Sequence, residues 1–283
     1  MATSEQDRKR AQRESWDAAA AGWEKWWSTF EKAAQCVSDR LVALAHVKPG
    51  DRVLDIATGT GEPAITAART VGASGHVLGV DHSTGMVAAA RRRAATLALN
   101  NVEYREGDAE SLAISERGFD AVLCRWGLMF VPDVDQAARG IHKLLKPGGW
   151  LATAVWDSGD KVPMITIAAK KIREIANLPP PPPDAINPMR LADTSILERA
   201  LRAAGFRDFS VEPMMVNFEF DSPEAFLEMR RDISYEFRTM VANQPAEIRR
   251  RIEQAILEEA RRYVGPDGRM RTANQSLLIA AHT

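Results

Sequence analysis

The chain has 283 residues, 45% of them hydrophobic and 27% charged, with a net charge of −1; this is ordinary globular composition, enough for one large core or one domain with a substantial cap. The balanced charge argues against electrostatic binding to nucleic acid, no apolar run approaches the roughly 18 residues that would mark a membrane span, and the polar stretch Met1–Arg13 lacks the apolar core of a secretory leader. Two cysteines, Cys36 and Cys124, and five scattered histidines provide neither a disulfide framework nor a metal site, which predicts a reducing, cytoplasmic setting.

Residues 1–13 are expected to be mobile. From Ser15 to Ala45 the pattern is helical, with Trp16, Trp23, Trp27 and Phe30 on one face and Gly22 as a break between two helices. These aromatics either pack the segment onto the main domain or form a lid over a ligand, and the two readings are compatible; Trp23 and Trp26 are the residues placed nearest a ligand. Pro49-Gly50-Asp51 then turns the chain into Arg52-Val53-Leu54-Asp55-Ile56, a short apolar run of the kind that forms a buried parallel strand. It enters the turn Gly59-Thr60-Gly61, where residues without Cβ let a ligand lie against the backbone. A helix follows from Pro63, and its free N–H groups are expected to receive a carboxylate or a phosphate.

Two ligands compete for this strand, loop and helix. Gly59 to Ala64 fits the dinucleotide pattern G-x-G-x-x-G/A, with Asp81 lying 20 residues beyond Gly61. Asp55 favours a different ligand, because a carboxylate inside a buried strand needs a polar partner, and the amino end of S-adenosylmethionine would be one. Val77–Asp81 reads as a second strand with Asp81 at its carboxyl end, placed to accept a pair of ribose hydroxyls or to cap the helix after Ser83. That helix, Val87 to Leu99, carries Arg91, Arg92 and Arg93 as a solvated face. Val102–Glu106 and Phe119–Cys124 read as further strands, the first leading to Gly107-Asp108-Ala109, the second ending at Arg125-Trp126 on the rim where ligands bind in open sheets. Cys124 reads as a core residue. Arg125 faces an anionic group or makes a salt bridge, and Trp126, Met129 and Phe130 line a pocket floor or pack. A helix from Asp133 to about Lys146 carries His142, and a fifth strand ends at Trp156.

Residues 157–208 hold a helix over Pro163–Ala176, the proline run 179–183 as a stiff spacer, and a helix capped by Asp193 or Thr194 and ended by Gly205. An alternating strand follows from Phe209 to Phe220. Ser222-Pro223-Glu224 starts a helix whose apolar stripe is Phe226, Met229, Ile233, Phe237 and Met240, a second helix carries Ile248, Ile252, Ile256 and Tyr263, and a final strand covers Ser276–Ala281.

Val53-Leu-Asp-Ile-Ala-Thr-Gly-Thr-Gly resembles the first motif of the class I S-adenosylmethionine-dependent methyltransferases, V-L-D-x-G-x-G-x-G, with Ala57 where the first glycine is expected. The quinone-biosynthesis C-methyltransferases also carry alanine there. The stretches ending at Asp81, at Asp108-Ala109, at Cys124, and Leu144–Leu151 follow in the family's order, so the chain is identified as similar to that group over about residues 50–160. The resemblance implies an α/β, Rossmann-like fold: a seven-stranded, mostly parallel sheet with helices on both faces, the last strand antiparallel, and a helical cap. It implies a lid over residues 1–48, a methyltransferase domain over 49–283, and substrate-cap segments at about 157–208 and 222–272. The cofactor S-adenosylmethionine, leaving as S-adenosylhomocysteine, is expected at Asp55, Ala57, Thr58, Gly59, Gly61, Asp81, Gly107, Asp108 and Ala109, with His82 and Met86 as candidates to pack on the adenine and Arg125 to face its carboxylate or an anionic substrate; Met86 reads nearly as well as core and Asp108 as an Asx turn. Trp23, Trp26, Trp126, Met129 and Trp156 are the acceptor-pocket candidates.

The expected reaction is methyl transfer by in-line displacement to a small acceptor, which the aromatic and methionine content of residues 10–48 and 157–272 suggests is apolar or aromatic. A protein base is needed only for an acceptor protonated at working pH; Arg125, Tyr235 and His82 are the candidates, none marked by a partner. A nicotinamide-dependent oxidoreductase using the Gly59–Ala64 loop and a non-catalytic S-adenosylmethionine-binding protein remain the alternatives. No nucleic acid, membrane span or metal is expected, and the chain is a monomer or a homodimer.

Overall fold

The structure, a computed structural model, describes residues 5–112, 114–179, 187–234 and 237–283. Five apolar stretches form the parallel body of a sheet: β1 (Arg52–Ile56), β2 (His76–Asp81), β3 (Val102–Glu106), β4 (Phe119–Arg125) and β5 (Leu145–Trp156). With β6 (Arg207–Phe220) and β7 (Met270–His282) they make one sheet in the order β3-β2-β1-β4-β5-β7-β6 among the described residues. The last strand, β7, runs antiparallel to both β5 and β6. Val53, Leu54, Asp55 and Ile56 are all buried, as expected for a strand covered on both faces. The strand order reverses between β1 and β4, and this switch opens a crevice at the carboxyl edge.

Right-handed crossovers decide which face each helix takes. Moving outward from β1, α3 (Ala64–Val71) and α4 (Thr84–Thr96) lie on one face, joined by α2 (Trp27–Leu44). Moving the other way, α5 (Val134–Leu144) lies on the opposite face beside α7 (Thr194–Ala204). Thus α7, which falls inside the expected cap span 157–208, packs on the sheet with α5 and β6. The remaining helices α1 (Glu5–Lys25), α6 (Pro163–Ile175), α8 (Pro223–Ile233) and α9 (Ala246–Ala260) pair as α1 with α8, α8 with α9 and α9 with α6.

Several sequence expectations need correction. Residues 5–13, expected as part of a mobile stretch, are helical within α1. The break in the first helical stretch falls at Trp26, not at Gly22. Gly22 instead permits a close crossing, since a Cβ there would lie 2.5 Å from the Asp232 carbonyl oxygen. The final strand is longer than expected, because its outer half, from Met270, pairs with the outer half of β6. Of the proline run, residues 180–183 lie outside the described residues. No helix among the described residues is long and apolar enough to cross a membrane.

Candidate active site at the carboxyl edge of the sheet

Asp55 is fully buried in β1. Its Oδ2 accepts the Thr58 hydroxyl at 2.6 Å and the Ala64 N–H at 3.0 Å. The amino end of α3 is therefore occupied by Asp55 rather than open to a ligand carboxylate or phosphate. Asp55 Oδ1 is buried and has no hydrogen-bond partner among the described residues. Glu62 repeats the arrangement: it is 4% exposed, its Oε2 accepts the Thr66 hydroxyl at 2.7 Å, and Oε1 is buried and bare. Two bare carboxylate oxygens beside a glycine loop form a site for a cationic donor. Burial pushes the Asp55 carboxyl up to about 7, against the two hydrogen bonds it accepts.

Ala57, the departure from the glycine pattern, adopts φ 53°, the left-handed region that glycine usually fills. Its methyl is accommodated because Gly127 faces it: a Cβ on Gly127 would lie 2.5 Å from the Ala57 Cβ. The glycine lost from the first loop is thus matched by one following β4. Thr58 donates its N–H to Val80 O at 3.0 Å, tying the loop to β2.

Asp81 lies 7% exposed at the end of β2. Its Oδ1 accepts the Ser83 N–H and its Oδ2 the Gly59 N–H, each at 2.9 Å. Each oxygen keeps a second lone pair for a ligand hydroxyl. Burial holds the carboxyl above its ordinary range despite these bonds. Ser83, not Asp81, caps α4, accepting the Met86 N–H at 3.1 Å. His82 stands partly exposed beside Asp81. Met86 is 3% exposed and packs with Ala19, Ala20, Trp16 and Trp23 beneath α1.

The third acidic position is held from an unforeseen direction. Asp108 Oδ2 accepts the Lys9 ammonium at 3.0 Å, Oδ1 accepts the Glu110 N–H at 2.9 Å, and Lys9 also pairs with the buried Glu110. Burial raises the Asp108 carboxyl, but the Glu110 amide and Lys9 outweigh it and hold the group below its usual range. Gly107 donates its N–H to Asp81 O at 2.9 Å, and Ala109 is partly buried next to it. Farther along α1, Asp17 Oδ1 accepts the Ser83 hydroxyl at 2.6 Å and the Gly85 N–H at 2.9 Å, and Gln12 donates to Phe130 O at 3.0 Å. One helix therefore straps across the ends of β2, β3 and β4.

On the β4 side, Arg125 Nη1 donates to Ser38 Oγ at 2.9 Å and to Ala34 O at 3.4 Å, both on α2. Loss of solvent lowers its pKa, and the nearby Glu62 and Asp55 oppose that shift. Trp126 and Trp156 stack, with centroids 4.2 Å apart and planes 16° apart. Met129 is 1% exposed and belongs to the core. Trp26 donates its indole N–H to Asp232 at 2.7 Å, which ties it to α8 rather than to a ligand. Trp23 packs on Phe30 at 4.4 Å and keeps a buried indole N–H without an acceptor among the described residues. Cys124 is buried, and desolvation raises its thiol to about 12, so it stays neutral. Tyr235 lies outside the described residues.

Of the three consecutive arginines, Arg91 and Arg92 are exposed, as expected of a solvated face, whereas Arg93 is partly buried. Arg91 donates to Tyr104 O at 2.6 Å, Arg92 to Glu24 at 2.7 Å, and Arg93 to Glu31 at 3.1 Å while lying over the Trp27 ring. Arg93 is pushed down to about 10 by burial and faces Glu62. Lys9, Asp17, Glu62 and Arg93 are the site residues that sequence reasoning missed. Glu62 alone had a local signal, an acid directly after the glycine loop; the others are joined to the site only by folding.

The methyltransferase domain family matches residues 53–149. A demethylmenaquinone methyltransferase of Listeria monocytogenes is 39% identical over 109 residues, covering 38% of this chain and 46% of its own. A demethylmenaquinone methyltransferase of Symbiobacterium thermophilum is 35% identical over 132 residues, covering 46% and 48%. The chain spans about half the length of these curated relatives. The YcgJ protein of Bacillus subtilis shares the fold over 87% of this chain and 97% of its own, at 20% identity and a TM-score of 0.56. Asp55, the glycine loop, Asp81 and Asp108 all lie within residues 53–149, the stretch that matches the methyltransferase domain family.

Proposed function

We propose that this protein transfers a methyl group from S-adenosylmethionine to a small apolar or aromatic acceptor. The observation that carries this reading is the pair of buried, bare oxygens Asp55 Oδ1 and Glu62 Oε1 beside the glycine loop. They fit the ammonium of the cofactor's methionine end, which a nicotinamide dinucleotide lacks. Asp81 would hold the ribose through the free lone pairs of its oxygens, and Asp108 and the Ala109 N–H the adenine edge, with Gly59, Gly61 and Gly107 leaving room for close approach. When bound, the cofactor supplies an electrophilic methyl on a cationic sulfur. The chain's own part is to orient the two reactants in line and to keep water out. The strap α1 excludes water through Lys9, Gln12 and Asp17, and it must lift for the cofactor to exchange.

The demethylmenaquinone methyltransferases among the relatives support an acceptor with an aromatic ring. The two free cysteines support a reducing, cytoplasmic location. Calorimetric titration with S-adenosylmethionine, S-adenosylhomocysteine and NADH tests the cofactor, and S-adenosylhomocysteine release with quinols, phenols and thiols tests the transfer. Binding of NADH alone would refute the reading. Tight binding of S-adenosylmethionine with no turnover on any acceptor would leave a binding protein.

A further inference from the structure

We propose that a cleft at the amino edge of the sheet, walled by His142, Lys146 and Arg207, binds the phosphate of a phosphate monoester. This edge lies opposite the crevice that holds Asp55 and Asp81, so the cleft is a second site and does not depend on the methyl-transfer reading.

Four elements meet here. β5 and β6 begin at this edge, β7 ends at it, and the last turn of α5 carries His142. Between them lies a cleft of about 320 Å³, within the size range of small-ligand sites. Leu145 and Pro147 give it an apolar wall, and His142, Lys146 and Arg207 give it donors. Gly205 leaves room for the imidazole: it takes φ 105°, and a Cβ there would lie 2.9 Å from His142 Nε2.

The donors outnumber the acceptors. Among the described residues the Arg207 guanidinium has no hydrogen bond or ion pair, and neither ring nitrogen of His142 has a hydrogen bond. His142 meets only the edge of the Phe206 ring, at 5.2 Å. The neighbouring acceptors are committed elsewhere. Asp208 Oδ2 meets His282 Nε2 at 2.7 Å, and Thr283 O meets His282 Nδ1 at 3.1 Å. Asp120 accepts the Lys146 ammonium at 2.6 Å and the Arg52 N–H at 2.8 Å.

The backbone keeps Arg207 apart from the carboxylate next to it in sequence. Arg207 pairs with His282 and Ser210 with Ala280, so β6 carries one extra residue against β7. Asp208 sits in this bulge at φ 50°. Bulges re-aim side chains; this one turns Asp208 to His282 and leaves Arg207 to the cleft. A plain strand start would serve an arginine whose only task is solubility.

The donor set selects the ligand. The guanidinium is a planar fork, the imidazole adds an N–H, and the Lys146 ammonium keeps donors beyond the one given to Asp120. A carboxylate has two oxygens and one charge, which the fork alone would satisfy. A phosphate monoester has three terminal oxygens and nearly two charges, enough for the fork and the imidazole together. Its carbon part then lies along Leu145 and Pro147. An apolar ligand would leave all three donors unused.

Calorimetric titration of the full chain with inorganic phosphate and pyrophosphate tests this, with acetate as the singly charged control. Phosphate should bind with a Kd of about 1 mM or tighter, and acetate at least about tenfold more weakly. Arg207→Gln should weaken phosphate binding at least about tenfold while changing S-adenosylhomocysteine affinity by less than about threefold. If Arg207→Gln does not keep the native circular dichroism spectrum, His142→Gln carries the test, with an expected loss of about threefold or more. Sedimentation with vesicles of phosphatidylcholine and phosphatidic acid separates the sources of the phosphate. Vesicle capture of the native protein but not of Arg207→Gln assigns the cleft to a lipid headgroup; phosphate binding without capture assigns it to a dissolved molecule. No binding of phosphate, pyrophosphate or vesicles would overturn the proposal. So would acetate binding as tightly as phosphate, or equal phosphate affinity in a folded Arg207→Gln.

Discussion

Replacing Asp55 with asparagine should stabilise the cofactor-free protein at pH 8 and remove its stability loss between pH 4 and 7. Burial raises this carboxyl from an ordinary 3.8 to about 7 in the folded state. Between those values the folded chain holds a proton that the unfolded chain has released, so unfolding free energy falls as pH rises and levels off above about 7. At about 1.4 kcal/mol per pH unit, the full penalty is about 4 kcal/mol. The asparagine carbonyl still accepts from Thr58 and Ala64, but its amide takes the bare position of Oδ1, which costs about 1–3 kcal/mol. The net expectation at pH 8 is a gain of about 1–3 kcal/mol, raising the melting temperature by about 2–4 °C per kcal/mol in a chain of this size. At pH 5 the native group is already largely protonated, so the gain should vanish or reverse. Urea unfolding of both proteins at pH 5 and 8 measures this directly. Parallel stability profiles would show that Asp55 does not titrate as its burial requires. The same variant should bind S-adenosylmethionine at least about tenfold more weakly, since one carboxylate facing the ammonium is gone.

Further expectations follow from neighbouring geometry. Asp81→Ala should weaken S-adenosylmethionine binding more than about tenfold by calorimetry with an unchanged circular dichroism spectrum; unchanged affinity would remove Asp81 from the site. Gly127→Ala should destabilise the protein by about 1–3 kcal/mol through overpacking against Ala57, and adding Ala57→Gly should recover part of that loss, a coupling readable in a double-mutant cycle of thermal melts. Additive effects would mean the two positions do not share that space. Lys9→Ala should speed S-adenosylhomocysteine release by about three- to tenfold in stopped-flow dilution, with added salt speeding the native protein more than the variant. If release is unaffected, α1 does not gate the crevice.

Much of this molecule was legible before folding. Val53–Ile56 has an apolar pattern that a doubly covered strand explains, and Gly205 ends α7 as read. Asp55 stood out because a buried strand does not tolerate an idle carboxylate, and Asp81 because it closes a strand. These are local signals, readable from residue type and spacing over a few positions. The family resemblance added a seven-stranded, mostly parallel sheet with its last strand antiparallel, which periodicity does not contain.

What folding alone decided lies between distant positions. Nothing near Lys9 marks it as the partner of Asp108, 99 residues away, and a charged N-terminal stretch reads as a solvated tail until a fold offers it an acidic surface. Arg93 sits in a run that looks solvent-facing, yet α2 crosses there and brings Trp27 and Glu31 to meet it. Trp26 is an aromatic on a ligand-side helix by sequence and a donor to Asp232 in the structure. The tolerance of alanine at 57 depends on a missing Cβ at 127, on another strand's exit. Local residue pattern determines which segments are helix, strand and turn, and which acids must find partners. Which partners they find is a property of long-range packing, set when the two halves of the sheet meet and the N-terminal helices close over their edge.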